Sequence, residues 1–182
     1  FIGSSYFFNF YLTELAATER ETFLTQKAWE LTNKMSAEEL IGQTIHIAIP
    51  SKTVDDIAME EIKNTKPGGI ILFGKNLGKR EEIINLTSNL QKAATEEKLQ
   101  PFLISTDQEG GRVQRFRDGF VKLPPMKIFG DTFAHDPRKA RELAHQCGWL
   151  MAAEVLAVGV DISFAPILDV DCGLSKVIGN RS

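Results

Sequence analysis

The chain has 182 residues, 43% of them hydrophobic and 25% charged, with a formal net charge of −3 and a pI near 5.7. Fractions this close to the globular average exclude a disordered, collagen-like or low-complexity chain, and the length sets one domain, or one domain plus an extension. The lack of a dominant basic patch argues against a nucleic-acid partner, and two cysteines and three histidines without ligand spacing give no zinc site and no disulfide scaffold.

The chain opens on Phe1 and stops at Ser182, after an apolar run and a Gly-Asn turn, and so reads as a piece of a longer protein. Residues 1–13 carry six aromatics and no charge. Such a run is shorter than the ~20 residues of a membrane span. It fits a signal-peptide core or the tail of an anchor, and equally an apolar strand or helix packed on the domain. Glu14 to Lys34 turns polar and helical. Ser36 and Glu39 then form a capping box ahead of a short helix through Leu40 and Ile41. The compact domain is expected to start there, giving an extension over 1–35 and a domain over 36–182.

From this point strands and helices alternate. Ile45 to Ile49 reads as a strand ended by Pro50, and Val54 to Lys63 as a helix with Ile57, Ala58 and Ile62 on one face. Gly69 to Phe73 is a second strand, apolar without alternation, as expected when both faces are buried in a parallel sheet. Arg80 to Glu97 is a longer helix, and Phe102 to Thr106 a third strand. Asp136 as N-cap and Pro137 at the first helical position open a helix whose apolar face runs from Ala140 through Cys147 to Val158. Gly159 ends it, and Val160 to Leu168 is the fourth strand. The fold class is therefore α/β with a parallel sheet and right-handed crossovers. An open doubly wound sheet and an eight-stranded barrel both satisfy the pattern, and both place a site beyond the carboxyl ends of the strands.

The loops at those ends carry the chemistry: Gly74-Lys75-Asn76, then Asp107-Gln108-Glu109-Gly110-Gly111-Arg112-Val113-Gln114-Arg115, then Asp169-Val170-Asp171. A half-buried carboxylate needs a partner, and Arg112 and Arg115 are the nearest cations. Asp and Arg together can grip vicinal hydroxyls. The glycine pair lacks the spacing of a phosphate loop and has acidic neighbours, so a tight turn that aims Asp107 is the better reading. Asp107 with Glu109 would make an acid–base pair on one face if the strand continued, and the two glycines argue against continuation; Asp169 with Asp171 meets the same objection. Asp169 reads instead as a cap of the fourth strand. His46 reads as a satisfied core histidine, His145 as a solvated one and Cys147 as core. Nothing near Cys172 activates its thiol.

Taken together, GGIILFGKN, PFLISTDQEGGRVQRF, LPPM, GWLMAAEVLAVGVDISFAPILDVD and VIGNRS resemble, in order, the N-terminal half of glycoside hydrolase family 3. The branch they resemble is that of the bacterial β-N-acetylglucosaminidases (β-hexosaminidases) that act on cell-wall fragments. The resemblance runs from about Ile41 to Ser182. It implies a (β/α)₈ barrel of the TIM type, of which this chain holds the N-terminal half. It implies Asp107 as the carboxylate that grips the sugar hydroxyls, with Arg115 and Arg181 as further ligands. Asn180 stands where Asp is commoner and bears on how Arg181 is oriented.

The family mechanism is retaining, with an aspartate nucleophile and a histidine–aspartate acid/base. By the resemblance all of these follow residue 182, so no catalytic residue is expected in this chain. A barrel takes ~250 residues, and four strands are about half of it. The implied partner is a carbohydrate, an N-acetylglucosamine-containing muropeptide or chitooligosaccharide. No cofactor and no metal are implied. Membrane contact is expected only through residues 1–13, and the compartment is either the cytoplasm or the envelope. The competing functional readings are a non-catalytic, envelope-anchored sugar-binding relative and a β-glucosidase of the same family.

Overall fold

A computed structural model describes residues 3–170, 173 and 177, with side chains from residue 17 onward. Two compact units result, Phe1–Ile41 and Gly42–Ser182. The first holds one long helix, α1 (Gly3–Thr32), so the apolar start is helical and continuous with the polar stretch that follows. Among the described residues no helix is long and apolar enough to cross a membrane. The capping box is present: Ser36 N–H donates to Glu39 Oε2 at 2.8 Å and Glu39 N–H to Ser36 Oγ at 3.2 Å. It opens α2 (Ala37–Gln43).

The remaining elements are β1 (His46–Ala48), α3 (Asp56–Thr65), β2 (Gly69–Leu72), α4 (Arg80–Glu96), β3 (Leu103–Thr106), β4 (Gln108–Gly110), β5 (Val113–Gln114), α5 (Lys127–His135), α6 (Pro137–Leu156) and β6 (Ile162–Ser163). Strands β1, β2, β3 and β6 form one sheet in that order, each pair parallel. A doubly wound sheet reverses its strand order at a switch point. Here the parallel strands follow one another without reversal, as they do on one side of a (β/α) barrel.

Helix starts follow local chemistry. Asp55 accepts from Ala58 N–H at 2.9 Å and caps α3. That bond and the Ser51 hydroxyl hold its carboxyl below the usual range. Asp136 accepts from Lys139 N–H at 3.0 Å, with Pro137 following as the first helical residue.

Packing is one-sided. Ile47, Ile49, Ile70, Leu72 and Ile104 meet Ala58, Ile62, Ile83, Leu86, Leu90 and Val155 in the core. Each large aliphatic buried this way contributes about 1.5–3 kcal/mol. Side chains alternate along a strand, and the other face carries His46, Ile71, Leu103, Ser105, Ile162 and Phe164. It is partly open: Leu103 and Phe164 are 50% and 49% exposed.

Four expectations need correction. The fourth strand is two residues long. Phe164 N–H still donates to Thr106 O at 2.9 Å, but Pro166 has no N–H to extend the ladder. Asp169 therefore caps no strand and lies exposed. Helix α5 is an addition to the expected elements; it has Gly130 in its middle and no side-chain N-cap. His46 is exposed and not in the core, with Nδ1 3.2 Å from Ser105 Oγ and its ring tilted against Phe164. Cys147 is half-buried, in a cleft of about 390 Å³ that Met126, Phe129, Met151 and Pro166 also line. Burial there pushes its thiol pKa up. His145 is exposed, as expected.

Exposed Leu103, Phe164, Leu168 and Val170 form apolar surface beside the sheet, and such surface drives association. The 182-residue chain is expected to elute as a dimer or larger species in size-exclusion chromatography with light scattering. A monodisperse monomer with a cooperative melt would contradict this.

Candidate sugar-binding site

The loop after β3 holds a small second sheet at the carboxyl end of the first. The chain does not leave the sheet as an irregular turn after Asp107. It continues as β4, reverses, and returns as β5, antiparallel. Gly110 and Gly111 make the reversal with φ of 94° and 57°, in the left-handed region that favours glycine. A Cβ on Gly110 would collide with the Pro124 carbonyl. The glycines were expected to end the strand; they close a hairpin instead.

That hairpin sets the site. Gln108 pairs with Gln114, so the next position outward places Asp107 across from Arg115. Their side chains meet, Arg115 Nη2 donating to Asp107 Oδ2 at 2.8 Å. Asp107 is 21% and Arg115 33% exposed, so the pair is held by the protein and still reachable from solvent. Among the described residues Asp107 Oδ1 takes no hydrogen bond, and Arg115 Nε is buried without a partner. Of the two candidate cations, Arg115 rather than Arg112 is the one paired with Asp107. Exposed Arg112 reaches Val177 O at 3.4 Å.

Two residues that sequence reasoning passed over build the loop. Gln108 accepts from Phe116 N–H at 3.0 Å and donates to Phe116 O at 3.3 Å. Gln114 accepts from Leu123 N–H at 2.9 Å and donates to Phe116 O and Val121 O, both at 2.8 Å. Ser163 ties the hairpin to β6, accepting from Gln108 N–H at 3.0 Å and donating to Gln108 O at 3.2 Å. The visible signal was the Gly-Gly pair between two short polar runs: Gly110 ends β4 and Gly111 opens the two-residue turn to Val113.

Glu109, in β4, is 7% exposed and already engaged. Ser105 and His46 touch, but Ser105 is fully buried below the rim and lies 3.4 Å from Ile70 O. Among the described residues no carboxylate orients the imidazole, so this is not an activated nucleophile. No cluster that could hold a metal occurs among the described residues. Arg181, Asn180, Asp171 and Cys172 lie outside them. The described arrangement sets an acceptor carboxylate beside a donor guanidinium, a pairing chemically able to engage hydroxyl groups.

Residues 15–182 match the family described as the glycosyl hydrolase family 3 N terminal domain. The match reaches further toward the N-terminus than the motifs do. The chain is 45% identical over 130 residues to a β-hexosaminidase of Methylobacillus flagellatus, covering 71% of this chain and 36% of that protein. It is 45% identical over 139 residues to one from Bordetella pertussis, covering 76% and 38%. Among solved structures it resembles NagZ from Neisseria gonorrhoeae in complex with N-trifluoroacetyl-D-glucosamine. That likeness has a TM-score of 0.69 at 37% identity, over 76% of this chain and 40% of the other. A glycoside hydrolase family 3 β-N-acetylglucosaminidase from Paenibacillus gives 0.68 at 32% identity, over 75% of this chain and 25% of the other. The chain thus spans well under half the length of the relatives it matches.

Gln114→Ala would leave Leu123 N–H and Val121 O without their side-chain partner. Each buried group left unpaired costs about 1–3 kcal/mol. The variant is expected to melt about 4–10 °C lower by circular dichroism. A shift below ~1 °C would show that the hairpin stands without this residue.

Proposed function

The chain belongs to glycosyl hydrolase family 3, and from that premise we propose that it supplies the first half of the sugar-binding barrel of a β-N-acetylhexosaminidase. Its parent protein removes terminal β-linked N-acetylglucosamine, from peptidoglycan fragments or chitooligosaccharides, by a retaining mechanism. The observation that carries this reading is the Asp107–Arg115 pair at the strand-end rim, where barrel enzymes bind their substrates. It is supported by the names of the relatives and by the glucosamine derivative bound in the Neisseria protein.

In this reading Asp107 accepts from two ring hydroxyls, one oxygen already steadied by Arg115. Arg115 donates to the same sugar, and Arg181 is a third ligand. The nucleophile and the acid/base follow residue 182. The chain itself divides into an extension over 1–35 and the barrel half over 36–182, with lipid contact confined to residues 1–13.

A bidentate contact that tightens as the ring distorts stabilises the transition state more than the ground state. In the protein that carries the downstream half, Asp107→Ala should lower kcat/KM by about 10- to 150-fold, the equivalent of about 1.5–3 kcal/mol. Unchanged kcat/KM on p-nitrophenyl N-acetylglucosaminide would reduce Asp107 to a loop-former. Arg115→Lys should also be harmful, because one ammonium cannot replace the guanidinium fork.

The 182-residue chain alone is expected to give no turnover of that substrate, since removing one member of a catalytic unit already abolishes most of the rate. Hydrolysis above a vector-only control, at a rate proportional to chain concentration, would place catalysis within these residues.

A further inference from the structure

We propose that Phe73 is the positioning residue of the site: its ring fixes the guanidinium plane of Arg115 so that Arg115 and Asp107 present one continuous donor–acceptor edge to the ligand. This rests on the sugar-site reading above and deepens it.

The register places Phe73 there. Leu72 pairs with Thr106, so the next residues, Phe73 and Asp107, sit side by side where β2 and β3 end. Both share the parity of Ile71 and Ser105, the face away from the helices. The Arg115 guanidinium carbon lies 5.8 Å from the centroid of the Phe73 ring, within the range of a cation–π contact. Arg115 is therefore held twice, by a carboxylate at Nη2 and by an aromatic ring. Its Nε, buried and without a hydrogen-bond partner among the described residues, is the expected consequence of a guanidinium seated against an apolar surface.

Phe73 is itself locked from behind. Its backbone N–H donates to Asn76 Oδ1 at 2.9 Å. Asn76 is buried, and its amide donates to Ile49 O at 3.0 Å and Ser51 O at 2.6 Å, at the end of β1. A chain of contacts thus runs from the β1 end through Asn76 to Phe73, then through Arg115 to Asp107. An arginine has many rotamers, and a carboxylate on one side with an aromatic ring on the other narrows them before the ligand arrives. The entropy of ordering is then lost in folding rather than in binding.

The test uses the protein that carries the downstream half of the barrel, with Phe73→Leu and Phe73→Tyr. Arg115 reactivity is read by phenylglyoxal labelling and peptide mass mapping, with exposed Arg117 as the internal reference. Affinity for N-acetylglucosamine is read by equilibrium binding, and thermal melts check the fold. Phe73→Leu should raise the Arg115 labelling rate at least threefold relative to Arg117 and weaken sugar binding about fivefold. Phe73→Tyr, which keeps the ring, should restore both. If the leucine variant fails to fold, Phe73→Met takes its place.

Unchanged Arg115 reactivity in the folded leucine variant overturns the proposal, whatever the sugar does. Raised reactivity with unchanged affinity overturns it as well, because the orientation would then not matter to the ligand. Wild-type protein with both halves of the barrel that binds no N-acetylglucosamine, with Arg115 still responding to Phe73, would sink the sugar reading and leave the hold of Phe73 on Arg115 standing.

Discussion

The loops at the sheet's carboxyl end contain buried backbone groups that the sheet itself cannot satisfy, and neutral side-chain amides satisfy them. Asn76, Gln108 and Gln114 are buried, and each both accepts from a backbone N–H and donates to a backbone carbonyl. An unpaired buried amide group costs free energy comparable to a lost hydrogen bond. A primary amide can meet both needs at once, at less desolvation cost than a charged group. Gln91 repeats the device below the sheet, holding both backbone groups of Phe102 at the entry to β3. The loop conformations, and everything mounted on them, follow from these pairings.

The strands supply direction. Core packing lies on the helix side, through Ile47, Ile70, Leu72 and Ile104 against α3, α4 and the end of α6. That packing fixes the register of the three longer strands, and register decides which side chains emerge at the rim. The opposite face needs small or polar groups where neighbours crowd. Gly69 leaves the room that the His46 ring occupies, and Ser105 accommodates both His46 and the Ile70 carbonyl.

The α/β alternation was legible because apolar faces mark the helices and two of their starts carry punctuation: a capping box at Ser36, and Asp136 as N-cap with Pro137 just inside α6. The parallel sheet was legible from the unbroken apolar run at Gly69–Phe73. Asp107 and Arg115 could be named from the motif, but not paired with one another, because their contact depends on a register the sequence does not display. Gly110 and Gly111 pull both ways: they weaken a strand and they permit a hairpin, and the buried glutamines on either side tip the balance. Helix α5 and the shortness of β6 were illegible for a related reason. Both sit beside uncovered apolar surface, so burial does not reinforce their local pattern. The amphipathic signal of α6 likewise overstates its burial, since Leu143 lies on its apolar stripe and is exposed.

These two levels of support explain why the charged pair can be both ordered and available. If Asp107 or Arg115 were needed to hold the loop, ligand binding would have to break structural contacts, and affinity would be lost to that cost. The amides carry the loop instead, and the hairpin stands on backbone pairing and on Ser163. Asp107 then spends one oxygen on Arg115 and keeps the other. Arg115 spends one nitrogen on Asp107 and has the Phe73 ring 5.8 Å from its guanidinium carbon. What remains unspent on both side chains lies at the end of a parallel sheet, which is where the geometry of the fold leaves room for a ligand.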